Sequence, residues 1–239
     1  MSNRSEESLS QAALVETFTN IAGQETTNLF HKLFYYSYER TWRNTTWMNT
    51  QIFKCPFDLW VYQEIICEIM PDLIIETGTA TGGSALYLAH ICELIGKGKV
   101  LTIDIDTSGT GYIKPEYAFR PKHPRIDYFI GSSTADLTLE HVRNTVKKTA
   151  KVLVILDSNH TYEHVLTELR LYQEFVSKGS YMIVEDSNRN GYPVEPTRGA
   201  GPMEAIDKFL KESPIFVSDP KREKYFLTFN PKGYLKKTG

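Results

Sequence analysis

The chain has 239 residues, 41% hydrophobic and 23% charged, with a formal net charge of −2 and a pI near 6.3. That size suits one large globular domain with a substantial core, and the charge supplies no basic footprint for a phosphate backbone, so a nucleic-acid partner is not expected. The longest apolar runs, such as Val152 to Leu156, fall far short of the ~20 residues that span a bilayer, and the polar stretch Ser2 to Ser8 lacks a secretory core; the expectation is a soluble cytoplasmic protein with no membrane span.

From Gln11 to about Arg40, apolar residues recur at helical spacing (Leu14, Phe18, Ile21, then Leu29, Phe30, Leu33, Phe34), with an interruption near Gly23. This predicts an N-terminal helical extension over residues 1–55, a lid or assembly segment, ahead of the main domain over residues 56–239. The aromatic content of the extension suits a homo-oligomer surface. Thr41 to Trp47 has no clear periodicity and reads as cover for a core edge, with a ligand mouth as the alternative. Asp58 can cap a helix running to about Met70. Strands are then predicted at Leu73 to Glu76, Val100 to Asp104, Ile126 to Ile130, Val152 to Leu156 and Tyr181 to Val184. Helical stretches at Ser84 to Ile95, Thr138 to Lys147 and Tyr162 to Val176 alternate with them, which implies βαβ units: an α/β, doubly wound, mostly parallel sheet with helices on both faces. After a helix from Pro202 to Lys211, Ile215 to Ser218 and Tyr225 to Phe229 are expected to form a closing hairpin-like pair through Asp219-Pro220.

Cys55, Cys67 and Cys92 are odd in number and show no CxxC spacing, so all three read as reduced thiols, mostly in the core. A nucleophilic Cys55 beside Lys54 is the competing reading.

Two groups of residues point to chemistry. Glu76-Thr-Gly78-Thr79-Ala-Thr-Gly82-Gly83-Ser84 leaves a strand and enters a helix, where glycines admit a close ligand and the helix N-terminus offers free N–H donors. A structural tight turn is the bland alternative. Asp104 closes the next strand, where a carboxylate can accept both hydroxyls of a ribose; Asp106 could substitute. An acid ahead of the turn would repel a pyrophosphate but suits the positive sulfonium and amino-acid end of S-adenosylmethionine, which is therefore preferred to a nicotinamide dinucleotide.

The second group is acidic. Asp157 ends the fourth strand and the pair Glu185-Asp186 the fifth, so all three should face the crevice beyond the strand C-termini. Gathered there they repel unless a cation neutralises them, and hard oxygen donors without a Cys/His set favour Mg²⁺; helix or loop capping is the alternative. His160, three residues after Asp157, is the candidate general base, and His164, one helical turn on, can share its face or lie exposed.

Taken together, Lys54-Cys-Pro-Phe-Asp58-Leu-Trp60-Val-Tyr62-Gln63-Glu64, the Glu76 to Ser84 turn, Ile103-Asp104-Ile-Asp106, Gly131-Ser132-Ser133 and Leu156-Asp157-Ser-Asn-His160-Thr resemble the cephalosporin hydroxylase and rhamnosyl O-methyltransferase family, over roughly Trp42 to Leu235. The resemblance implies a Rossmann-like, class I S-adenosylmethionine-dependent methyltransferase acting on hydroxyls of sugars or antibiotic scaffolds. It implies magnesium carboxylates at Asp157, Glu185 and Asp186 and a cofactor segment at Glu76, Gly78 and Asp104, to which Thr79, Gly82, Ser84 and Ser132 are added as candidates. The Asp157-Ser-Asn-His160 segment is also similar to macrolide-sugar O-methyltransferases, where the corresponding histidine is the base. The expectation is a Mg²⁺-dependent O-methyltransferase with His160 and Asp157 as catalytic residues and a small-molecule hydroxyl acceptor. The rival readings are a hydroxylase or oxidoreductase component, disfavoured because the acids and His160 do not form a two-histidine, one-carboxylate iron set, and a non-catalytic accessory subunit.

Overall fold

The computed structural model describes residues 23–105, 120–146 and 150–239. Leu14, Phe18, Ile21, Asp106 and Lys147, all named above, lie outside them. The extension is seen as helix α1 (Gly23–Tyr36), followed by a short 3₁₀ turn (Thr41–Asn44) and a two-stranded antiparallel hairpin, β1 (Thr46–Trp47) and β2 (Thr50–Gln51). Met48 and Asn49 at its tip both have positive φ, as tight hairpin turns require. The hairpin is pinned to the domain by Trp47, whose Nε1 donates to His90 Nδ1 at 3.0 Å and whose ring packs edge-on against Tyr87.

Helix α2 (Pro56–Ile69) opens with proline at its first position, where the missing N–H costs nothing, and stops where Met70 turns left-handed. Then follow β3 (Leu73–Thr77), α3 (Gly83–Leu94), β4 (Lys99–Asp104), β5 (Ile126–Ile130), α4 (Asp136–Thr145), β6 (Val152–Leu156), α5 (Tyr162–Tyr172), β7 (Tyr181–Val184), α6 (Pro202–Glu212), β8 (Phe216–Ser218) and β9 (Tyr234–Lys237). The seven main strands lie in the order β5-β4-β3-β6-β7-β9-β8. β5 through β7 are parallel neighbours, while β9 runs antiparallel to both β7 and β8. Chain direction across the sheet reverses between β3 and β6, the position where open α/β sheets hold ligands.

Alternation along the strands sorts the core into two layers. Ile75, Leu101, Val154 and Val184 face α4, α5 and α6; Ile74, Val100, Ile155 and Ile183 face α2 and α3. Burial on both faces is why these strands read as unbroken apolar runs. A small third cluster of Tyr35, Cys55, Val194, Leu227 and Phe229 seats α1.

Three expectations need correcting. The closing pair is β8 with β9, and Tyr225 to Phe229 is not a strand: Asp219-Pro220 begins a 3₁₀ turn (Pro220–Glu223), and the segment after it folds inward so that Phe229 N donates to buried Asp58 at 2.8 Å. Asp58 does not cap its helix: Cys55 is the N-cap residue of α2, and the Asp58 carboxylate accepts from Thr228 and Tyr234 instead. The helix begun at Tyr162 ends at Tyr172, short of Val176. Cys55 and Cys92 are buried and Cys67 is exposed, in keeping with thiols mostly in the core. Among the described residues no helix is long and apolar enough to cross a membrane.

Candidate active site

All five parallel strands deliver residues to one cleft of about 1020 Å³: Gly78 and Thr79 after β3, Asp104 at the end of β4, Ser132 after β5, Asp157 and His160 after β6, and Asp186 after β7. Trp42 and Arg43 line it too, whereas Trp47 packs on the core beside Tyr87, so Thr41 to Trp47 both walls the cleft and covers a core edge.

At the glycine-rich end of the cleft, the turn after β3 is held by its own hydroxyls and by Asp104. Asp104 Oδ2 accepts the Ala80 N–H at 2.8 Å, and Thr79 Oγ1 meets Thr102 Oγ1 at 2.7 Å. Burial raises the Asp104 carboxyl above its ordinary value, against the backbone N–H bonds that favour its charge. Gly78 has φ +88°, and a Cβ there would stand 1.9 Å from the Asp157 carbonyl oxygen, so the β3 and β6 exits touch backbone to backbone. Of the remaining cofactor candidates, Ser84 and Ser132 line the cleft. Gly82 is instead the left-handed cap of α3. Glu76 is fully buried, with Oε2 accepting from Thr102 Oγ1 at 2.7 Å and Oε1 without a hydrogen-bond partner.

The acidic side is more structured than the sequence suggests. Asp157 and Asp186 line the cleft with side chains 19% and 25% exposed, while Glu185 sits behind them at 3%. Lys54 Nζ bridges Asp157 Oδ2 and Glu185 Oε1, each at 2.5 Å. Glu185 Oε1 also accepts the Tyr62 hydroxyl, which in turn accepts from Asn230 Nδ2 at 2.9 Å. Asn230 Oδ1 receives the Asp186 N–H at 3.2 Å and helps hold that residue at φ +59°. Asp186 Oδ2 is 3.4 Å from Arg189 Nη1, whose Nε bonds Glu195 at 2.7 Å. The three acids are thus balanced by two cations of the chain itself, Lys54 and Arg189.

These donors suit a hard cation in kind, but not in place. The space between Asp157 and Glu185 is held by an ammonium, and among the described residues no group of three or more His, Cys, Asp or Glu side chains is arranged to hold a metal ion.

His160 Nε2 lies 3.3 Å from Asp186 Oδ2 and 3.9 Å from Asp157 Oδ1. Burial lowers its pKa below the usual 6.5, outweighing the pull of Asp186, so the ring is held neutral and able to accept a proton. His164 also lines the cleft, with Nε2 2.9 Å from Ser158 Oγ and 3.2 Å from Ser133 Oγ. Cys55 is buried in the small third cluster and its thiol is pushed well above its ordinary value by burial, which leaves no nucleophile there. Sequence reasoning gave no site role to Lys54, Arg189, Tyr62 or Asn230. Lys54 and Tyr62 carried a signal, as members of the Lys54 to Glu64 motif.

The model of the family described as Rhamnosyl O-methyltransferase/CmcI matches residues 39–238. A rhamnosyl O-methyltransferase of Mycobacterium leprae is 40% identical over 210 residues, covering 86% of this chain and 88% of that protein. One from Mycobacterium bovis is 38% identical over 213 residues, covering 86% and 82%. Among solved structures, apo CmcI superposes with a TM-score of 0.60 at 20% identity over 82% of this chain and 77% of that one. A CmcI structure described as Mg-SAM gives 0.60 at 18% identity, covering 82% and 78%. Those two likenesses bear on the fold alone. With a family model spanning most of the domain and relatives at this identity, the chain belongs to the Rhamnosyl O-methyltransferase/CmcI family of class I S-adenosylmethionine-dependent O-methyltransferases.

Proposed function

We propose that this O-methyltransferase acts on a hydroxyl of a sugar or glycosylated natural product, with Asp104, Gly78, Thr79, Ser84 and Ser132 around S-adenosylmethionine and His160 as base. The observation that carries this reading is a single cleft that joins the glycine turn to a neutral histidine backed by a carboxylate. Its volume of about 1020 Å³ is at the upper end of ligand pockets, enough for cofactor and acceptor together. The aromatic side chains at the mouth, Trp42 and Phe53, suit the apolar face of a pyranose, and the mycobacterial relatives carry rhamnosyl acceptors in their names.

In this mechanism His160 Nε2 takes the proton of the acceptor hydroxyl, and the oxygen attacks the cofactor methyl in line with the departing sulfur. A methyl ether and the thioether S-adenosylhomocysteine result, and no covalent enzyme intermediate forms. Asp186, at 3.3 Å, stabilises the imidazolium as it develops, with Asp157 behind it at 3.9 Å. Positioning supplies most of the remaining rate. Asp157, Glu185 and Asp186 are oxygen ligands of the kind Mg²⁺ takes, and one CmcI structure is described as Mg-SAM, but Lys54 stands between two of them.

The test is mass spectrometry of reactions with methyl-labelled S-adenosylmethionine and a panel of rhamnosides, other glycosides and their free aglycones. Label on a glycoside hydroxyl, matched by S-adenosylhomocysteine, is expected. Label confined to aglycones would refute the sugar acceptor.

A further inference from the structure

Lys54 is the group at the acidic end to which the mechanism above gives no task, and its surroundings are specific. Its side chain is 3% exposed, and its Nζ holds one oxygen of Asp157 and one of Glu185 at 2.5 Å each. Glu185 cannot turn away cheaply, because the same oxygen receives Tyr62, and Tyr62 is held by Asn230. Neutralising buried Glu185 and part-buried Asp157 is work that the sequence reading assigned to a metal.

A hard divalent ion of the Mg²⁺ type takes carboxylate oxygens at about 2.0–2.1 Å. An ion bound to the two oxygens that Lys54 now bridges would share its space, and two like charges in a buried site repel strongly. The occupants therefore exclude each other at those oxygens. We propose that Lys54 is the built-in counter-cation of this site, and that a divalent ion reaches Asp157 and Glu185 only by displacing its ammonium. Lys54 then sets how tightly the site takes metal. The inference rests on Asp157 lining the methyl-transfer cleft with Glu185 behind it, not on methyl transfer itself.

Calorimetric titration of Mn²⁺ into the parent protein and Lys54→Met, with S-adenosylmethionine titrated into the parent as a separate arm, tests it. The variant should bind Mn²⁺ roughly tenfold tighter or more, since removing the competitor leaves buried Glu185 and part-buried Asp157 without their cation. Mn²⁺ should also raise the unfolding temperature of the variant more than that of the parent. Equal or weaker Mn²⁺ binding by Lys54→Met, binding by neither protein, or a destabilised variant that Mn²⁺ fails to stabilise would each overturn the proposal. Acetylation of Lys54 in the parent, followed by mass spectrometry, gives a reading independent of the variant: saturating Mn²⁺ should increase it relative to Lys221, and unchanged labelling counts against displacement. If the parent fails to bind S-adenosylmethionine, the methyl-transfer reading falls instead, whatever the metal arm shows.

Discussion

Gly78→Ala tests whether the glycine turn and the acidic site are mechanically one unit. The added Cβ would meet the Asp157 carbonyl oxygen at 1.9 Å, its carbonyl carbon at 2.5 Å and Ser158 N at 3.0 Å, all of them backbone atoms. Optimal separations between non-bonded heavy atoms are about 3.5–4.0 Å, so one strand exit must retreat by roughly 1 Å or more. Asp157 is not free to yield, because its N–H is tied to Thr77 O at 3.0 Å. Left-handed backbone at φ +88° adds its own strain for a residue with a Cβ, about 1–2 kcal/mol, on top of about 1–3 kcal/mol for overpacking. A loss of roughly 2 to 5 kcal/mol of stability is expected from these two terms. In the fraction that folds, a displacement of Asp157 by about 1 Å predicts on the order of a 10²-fold fall in kcat. Denaturant unfolding, calorimetry with S-adenosylmethionine and single-turnover methyl transfer measure the three effects separately. A Gly78→Ala enzyme with parental stability, cofactor affinity and rate would show that the contact between the two exits is unimportant, and the reasoning would fail.

Two further outcomes are expected. His160→Ala should lower kcat by roughly 10² to 10⁴ with cofactor binding intact; in the parent, the acid limb of kcat/KM should lie below the ordinary histidine value of 6.5, because burial disfavours the imidazolium, and a limb above that value contradicts the assignment. Asp58, buried beneath Thr228, Phe229 and Tyr234, has its pKa raised from 3.8 to about 7 by burial. The folded state therefore binds the proton more tightly than the unfolded chain, so this stabilisation is full below pH 3.8 and is lost as pH rises to about 7. The difference is on the order of 4 kcal/mol. Asp58→Asn should flatten that part of the stability profile, and denaturant unfolding that shows the parental slope in the variant would exclude it.

The parts of this fold that show most plainly in the sequence are the strands buried on both faces. Val152 to Leu156 and Tyr181 to Val184 are unbroken apolar runs because each residue meets one of two helical layers. The last strand was hidden by its chemistry. Lys236 and Lys237 give Tyr234–Lys237 a polar look, although Lys237 Nζ is spent on the carbonyls of Gln173 and Val176 and Lys236 Nζ lies over the Tyr181 ring. Tyr225 to Phe229 looked like a strand because Leu227 and Phe229 alternate inward without strand pairing, while Phe226 between Tyr225 and Leu227 is exposed. At the site, Asp157 and the Glu185-Asp186 pair were visible as acids at strand ends. Their counter-ions were not, since the lysine that neutralises two of them lies 103 and 131 positions away and only the sheet brings it there.

Asn230 has a consequence for how the enzyme is made. It bonds both the Asp186 backbone and the Tyr62 hydroxyl, and it lies just ahead of the strand that wedges between β7 and β8. During synthesis the parallel core from β3 to β7 can emerge and begin to pack while Asp186 still lacks this restraint. The acidic corner therefore cannot reach its final geometry until residue 230 and the antiparallel strand after it have left the ribosome. Until then a nascent chain presents an open sheet edge at β7 beside unpositioned carboxylates, an aggregation-prone surface of the kind chaperones bind.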